Sequence, residues 1–447
     1  MKKKSPILKL LACAVIILAL CLGNLLAAFA ALEINGDGAV IGGTPANPAQ
    51  AAITKILDLP EGTNVPAADF KFDVTPISWD GGATGSMPTI GTAGVVTIGI
   101  SSSDASTTDD GIVSVAKESA SLFTAGSAGG LFGSQTWPGT GEFIYKVTEQ
   151  QSTYTVNPTP PPTEVMTYTL MEYELRVYVK QHTDGSYYIW AIGAARTHDD
   201  DGAALDDEEK VDPTPGGDGD EYDYSQMIFT NTYVKILDND PDTGKTDVKN
   251  LSVSKAVSGD FANENEYFNF KLTVTLPDIK TDDPLPSVYK AYVLDASDAD
   301  VTSADNGTLT GTPPYIAVIP GTELSFNLKH DQRLVILGLP VGSTYDVEET
   351  SPANYKASVV ITSGGVAEAS YPSAPATGET VKVTDKIVAD VLSSTGANLA
   401  AYSNLREAVT PAGIAVDNLP YLVLIGVMLA AFAVFGAVKL RKRAQQH

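Results

Sequence analysis

The sequence predicts an all-β protein built from two tandem β-sandwich domains. Three observations carry that expectation. The chain has 447 residues, 43% hydrophobic and 19% charged, a globular composition long enough for two or three cores. Glycine, proline, serine, threonine and β-branched residues are plentiful, and short alternating runs recur, which favours strands over helices. Two segments about 200 positions apart also carry the same three-part pattern, which reads as a divergent internal duplication.

The chain opens on a secretion signal, residues 1–30. Lys2, Lys3, Lys4 and Lys9 precede an apolar run from Leu10 to Leu22, and Ala28-Phe29-Ala30 offers a small-x-small cleavage site. Leu10-Leu11-Ala12-Cys13 looks like a lipoprotein box, but it sits before most of the apolar run and is read as part of the signal. Residues 31–48 are rich in Gly, Pro and Asn and are expected to be poorly ordered. The first domain is expected over 49–236, with strands at Asp69–Thr75, Val95–Ile100, Glu142–Glu149, Thr167–Lys180 and Ser186–Ala195. Gly129-Gly130 and Pro158–Pro162 mark turns, and the acidic stretch Asp199–Asp223 reads as a mobile loop. Residues 237–248 read as a solvated linker, and the second domain spans 249–406. A segment at 407–418 leads into Leu419–Val438, which carries no charge and is long enough to span a bilayer. Lys439, Arg441, Lys442 and Arg443 follow, which places the tail 439–447 in the cytoplasm and the body of the chain outside.

Both cysteines, Cys13 and Cys21, lie in the signal, so the exported chain is expected to hold no disulfide although its compartment would permit one. Its stability must come from elsewhere. Net charge is −25, and setting aside the eight basic residues named above and Asp417 leaves 53 acids against 21 bases over 31–413. That excess excludes nucleic acid and an anionic membrane face as partners of the ectodomain.

The repeated pattern concerns covalent chemistry. It reads Ile53-Thr54-Lys55, then Tyr145-Lys146-Val147-Thr148-Glu149, then Phe229-Thr230-Asn231-Thr232-Tyr233. It returns as Val253-Ser254-Lys255, then Tyr345-Asp346-Val347-Glu348-Glu349, then Tyr402-Ser403-Asn404. Lys and Glu are 94 positions apart in both. Phe70-Lys71-Phe72 and Phe268-Asn269-Phe270 add a second matching pair shortly after each lysine. By strand alternation, Tyr145, Val147 and Glu149 share a face, as do Phe229 and Asn231, and their counterparts do the same. Each of these residues alone would ordinarily be solvated; their order and repetition carry the reading.

An amide link between Lys and Asn needs a neutral lysine, and burial lowers a lysine pKa by as much as ~3–5 pH units when complete. It needs a polarised asparagine carbonyl, to which a glutamic acid kept protonated by the same burial can donate while it relays a proton to departing ammonia. It also needs a fold that holds the atoms together.

On these motifs the chain resembles Gram-positive pilin and adhesin subunits. Residues 49–236 are similar to the streptococcal backbone-pilin domain, and 249–406 to Cna-B-like repeats of Ig-like topology. The resemblance implies that Lys55 joins Asn231 with Glu149 assisting, and that Lys255 joins Asn404 with Glu349 assisting. Glu348 is the adjacent alternative but would face the other way. Tyr402 and Leu405 depart from the Phe-Thr-Asn-Thr form. Val409-Thr410-Pro411-Ala412-Gly413 looks like a sortase sorting signal, with Pro411, Ala412 and Gly413 in place but alanine where threonine is usual. The resemblance implies a non-enzymatic, cell-surface structural protein, without cofactor or metal. Its partners would be a sortase and other pilin subunits or peptidoglycan. The alternative is an adhesin that binds a host protein or glycan through first-domain insertions.

Other constellations are weaker. Asp238, Asp240 and Asp242 alternate like a calcium loop, but Gly244 stands one place late and the twelfth position is Lys249. The four histidines show no ligand spacing, and no nucleophile elbow or phosphate loop is present. Tyr178-Val179-Lys180 is a faint likeness to a polymerising lysine motif without its proline, so Lys180 is read as a surface strand residue.

Overall fold

The computed structural model describes residues 33–34, 40–41, 43–120, 137–156, 163–216, 224–282, 284–350, 353–388, 397–407 and 428. Within them the elements are twenty-five strands and one 3-10 turn at Thr84–Ser86. The strands form two pairs of sheets, each pair closed over its own hydrophobic core.

In the first pair, the larger sheet has Glu172–Gln181 between Tyr187–His198 and Gly141–Glu149, followed by Ala68–Trp79 and Val95–Ile100. The smaller sheet runs Ser106–Asp109, Ile112–Glu118, Thr54–Pro60, Ile228–Ile236 and Thr163–Thr167. Alternation places Phe70, Phe72 and Val74 inward from one sheet and Lys55, Leu57 and Leu59 inward from the other. In the second pair, Leu251–Ser258 lies between Gln332–Ile336 and Asn398–Leu405, and Phe268–Thr275, Thr344–Thr350 and Val381–Lys386 belong to the facing sheet.

Each pair therefore shares one plan. The lysine strand and the asparagine strand are neighbours in one sheet, and the glutamate strand faces them from the other. Those neighbours run parallel, Thr54–Pro60 with Ile228–Ile236 and Leu251–Ser258 with Asn398–Leu405. The other strand pairs among the described residues are antiparallel.

Three sequence expectations change and a fourth is extended. The run Thr167–Lys180 is two strands: Thr163–Thr167 belongs to the smaller sheet and Glu172–Gln181 to the larger, so residues 168–171 cross between sheets. The apolar alternation slips by one residue there, from Met166, Tyr168 and Leu170 to Met171, Tyr173 and Leu175, as expected where a chain changes sheet. The stretch read as a mobile loop contains the strand Ala204–Val211, which pairs with Tyr187–His198. Ion pairs from Arg196 to Glu209 and from Arg176 to Glu208 hold its acidic side chains on the sheet surface. Residues 31–48 contain two short strands, and Val40–Ile41 covers the edge at Ala191–Ile192. The linker is stitched as well as solvated, with Asn239, Asp240, Asp242, Thr243, Thr246 and Val248 exposed. Asp238 is buried, its carboxylate accepts from the Asp240 N–H and Thr243 Oγ1, and the Asn250 amide donates to the carbonyls of Asp238 and Gly244.

The two units touch through matched polar pairs. Lys280 meets Asp201 at 2.6 Å, Lys386 meets Glu61, and the Asp282 N–H donates to Thr167 Oγ1. Among the described residues no helix is long and apolar enough to cross a membrane. The expected signal 1–30, the segment Pro411–Gly413 and the basic tail lie outside those residues, as does the expected span apart from Met428.

Candidate cross-link sites

Register brings the sequence triads together. Lys55 lies opposite Phe229, so Asn231 is two residues further along the same face of the neighbouring strand. Lys255 lies opposite Tyr402, and Asn404 is again two residues further along. From the facing sheet, Glu149 pairs with Phe72 and Glu349 with Phe270. Each glutamate is the last buried position of an alternating strand and so reaches the end of the core where the lysine and asparagine meet. Glu348 lies on the opposite face, opposite Lys271 and Lys382.

The contacts are short and dry. Lys55 Nζ donates to Glu149 Oε2 at 2.9 Å, and Asn231 Nδ2 donates to Glu149 Oε1 at 2.7 Å. In the second unit Lys255 Nζ and Asn404 Nδ2 both donate to Glu349 Oε1, at 2.5 and 2.7 Å. Both lysine and both glutamate side chains are fully shielded from solvent. Each lysine also sits against the first aromatic of the matching strand, with Nζ 4.7 Å from the Phe70 ring centre and 4.4 Å from that of Phe268. The paired Phe-x-Phe strands thus form the aromatic wall of each site.

Burial dominates the electrostatics. Desolvation lowers Lys55 and Lys255 to about 8, against the opposing attraction of Glu149 and Glu349. It also raises both glutamates, although lysine and asparagine contacts work to lower them. Both shifts favour the same exchange, a neutral amine beside a neutral acid. A carboxyl bridging the amine and the asparagine amide nitrogen is placed to take a proton from one and give it to the other.

One expected contact differs. Glu149 faces the asparagine amide nitrogen, not its carbonyl oxygen. The Asn231 carbonyl is turned the other way and accepts from the Thr169 backbone N–H at 3.0 Å. Since an N–H can only donate, that contact sets the orientation of the amide. Sequence reading missed Thr169 because the crossover at 168–171 was read as continuous strand. In the second unit Asn404 Oδ1 and Glu349 Oε2 are buried without a partner.

Other candidates do not assemble. Among the described residues no group of three or more His, Cys, Asp or Glu is placed to hold a metal ion. Lys180 is exposed at the end of its strand, with its ammonium 3.2 Å from the centre of the Trp190 ring.

Residues 249–387 match the model of a domain of unknown function, DUF7601. A 171-residue stretch, 37% of the chain, is 26% identical to the pilus tip adhesin Cpa of Streptococcus pyogenes. The chain spans only 18% of the length of that relative. The likeness is to Gram-positive pilin and adhesin subunits. The crystal structure of the major pilin from Streptococcus pyogenes aligns over 81% of this chain and all of that one, at 18% identity and a TM-score of 0.28. The Cpa adhesin structure aligns over 53% of this chain and 37% of that one, at 15% identity and a TM-score of 0.22. These superpositions are loose, and the two-sandwich architecture rests on its own strand pairing.

Proposed function

We propose that this chain is a cell-surface structural protein of a Gram-positive bacterium, a pilin subunit or adhesin stalk, locked by two intramolecular amide bonds. Lys55 joins Asn231 with Glu149 assisting, and Lys255 joins Asn404 with Glu349 assisting. In each reaction the neutral amine attacks the asparagine side-chain carbon, the glutamic acid relays a proton to the leaving nitrogen, and one ammonia departs. The observation that carries this reading is the buried Lys–Glu–Asn triad, repeated at the same parallel register in two otherwise divergent units. A buried ion pair is a poor way to gain stability. A buried neutral pair beside an amide is a reactive arrangement.

The topology gives the bonds a mechanical use. Because the lysine strand and the asparagine strand run parallel, a pull on the two chain ends loads them in shear from opposite ends. A Lys55–Asn231 bond carries that load past residues 56–230. Closing a loop of this size also removes denatured-state entropy worth roughly 5 kcal/mol by the chain-entropy model used for disulfides. The test is the intact mass of the exported ectodomain. It should lie two ammonia masses below the sequence mass, and equality with the sequence mass would overturn the reading.

For anchoring, the apolar span and basic tail hold the chain at the membrane. A sortase cuts within Val409–Gly413 and passes the ectodomain to peptidoglycan or to another subunit. Replacing Pro411 and Gly413 should shift the protein from the fraction resistant to boiling detergent to the extractable membrane. An unchanged distribution would leave it a membrane-anchored surface protein. The likeness to a tip adhesin favours a second reading, in which the same cross-linked scaffold also binds a host protein or glycan. Binding on a matrix-protein and glycan array would separate it from a plain stalk.

A further inference from the structure

We infer that the Thr169 backbone N–H is an oxyanion donor for the first cross-link, and that the second cross-link forms without one. This rests on the Lys–Asn reading above and adds a catalytic group to it. When Lys55 Nζ attacks Asn231 Cγ, the carbonyl π electrons move onto Oδ1. That oxygen already accepts from Thr169 at 3.0 Å. The tetrahedral centre then collapses, the carbonyl re-forms, and Nδ2 leaves as ammonia with the proton relayed by Glu149. A fixed dipole at the oxygen where charge develops lowers the barrier without reorganisation.

The fold explains why one site has this donor. The strand Thr163–Thr167 pairs with the far half of the asparagine strand and ends with Thr167 opposite Thr232, one residue short of Asn231. The chain then leaves for the other sheet, which releases the next N–H groups from the ladder. In the second unit the corresponding neighbour, Lys356–Ser363, runs straight past, with Ala357 opposite Asn404. That strand does not turn away beside the asparagine, the Val359 N–H is taken by the Tyr371 carbonyl, and Asn404 Oδ1 has no partner.

The donor is held in place. Thr169 Oγ1 donates to Asp200 Oδ1 at 3.0 Å and accepts from the Met171 N–H. The Leu170 N–H donates to the Asp200 carbonyl, and Gln151 Nε2 ties the Thr169 carbonyl to the carbonyl of Glu149. Asp200 stands in the turn Asp199–Gly202, so it acts as a positioning residue.

The experiment follows both bonds in one chain. The full chain is synthesised cell-free in detergent, translation is stopped, and timed samples are denatured and digested. The linked Lys55–Asn231 and Lys255–Asn404 peptides are then quantified by mass spectrometry. In the unsubstituted chain the first bond should form roughly tenfold or more ahead of the second. Thr169→Pro, which removes the N–H, should slow the first bond about 100-fold and leave the second unchanged. Thr169→Val and Asp200→Ala should slow the first bond less, and Thr169→Ser and Asp200→Asn should restore it. The fluorescence of Trp79, Trp137 and Trp190, which all lie in the first unit, shows whether each variant has folded independently of the bond. If Thr169→Pro does not fold, the Val and Ala variants and the ratio of the two rates in the parent chain decide. Equal rates at the two sites, or a first bond indifferent to these variants, overturn the inference. Absence of both bonds from the unsubstituted chain overturns the cross-link reading instead.

Discussion

At Lys55 and Lys255 the two units offer the same surroundings: a parallel neighbour, a facing glutamate and a phenylalanine wall. At Asn231 and Asn404 they do not. The first asparagine is gripped at both ends, nitrogen on Glu149 and oxygen on Thr169. The second is gripped only by nitrogen. Nucleophile and acid are therefore matched by burial, which any close-packed sandwich end can supply. The electrophile depends on where a neighbouring strand stops, and that varies with the insertions a domain carries. On the proposed chemistry, the comparison teaches that the triad can be kept intact while its rate is set by an irregularity in the sheet beside it.

The largest expected effect tests whether each triad acts alone. Glu149→Ala should abolish the first bond and leave the second, and Glu349→Ala should do the reverse. The fold should survive in each case, because the glutamate is not part of the bond. The unlinked unit should lose roughly 5 kcal/mol of stability relative to the linked one and become open to trypsin. Peptide mapping of both variants checks this. A Lys55–Asn231 peptide from Glu149→Ala would remove the glutamate from the mechanism.

Much of this site was legible before the structure, for a physical reason. Strand alternation fixes which residues share a face, so Lys55 with Ile53, Glu149 with Val147 and Asn231 with Phe229 could be read from period alone. Repetition then made the three stripes a set. What period could not supply was anything set by pairing between strands. The parallel register and the aromatic wall over each lysine depend on which strand lies beside which, and the crossover that frees Thr169 leaves only a one-residue slip of period between Leu170 and Met171. The acidic strand Ala204–Val211 was missed for a related reason. Its residues have no core-facing stripe, and it is held by an edge ladder and by arginines from other strands.

The next effect sharpens the claim that nucleophile and acid match. The reactive form carries one proton on the pair, held by the glutamate. Raising the pH through about 8 removes it, and lowering the pH through the raised glutamate value adds a second and charges the lysine. Each rate should therefore be bell-shaped, with the upper limb near pH 8 at both sites. Timed peptide mapping across pH would show it. If the first bond differs from the second in height but not in the position of its limbs, the difference lies at the asparagine. Limbs displaced from one another would place it at the lysine or the glutamate.

The smallest effect concerns the aromatic walls. Phe70 and Phe268 keep water from the lysines, yet their ring faces also favour the charged ammonium by about 0.5–2 kcal/mol. Leucine keeps most of the dryness and removes the ring. Phe70→Leu and Phe268→Leu should each shift the local balance toward the neutral amine. Against that gain stands looser packing around Nζ, which weakens the alignment of the attack. The two terms oppose, so each substitution should change the rate at its own site by less than about tenfold, in the same direction at both sites. The same timed mapping reads it. A large loss at one site with none at the other would mean that the two lysines are not equivalent, and the comparison would fail at the point where the units look most alike.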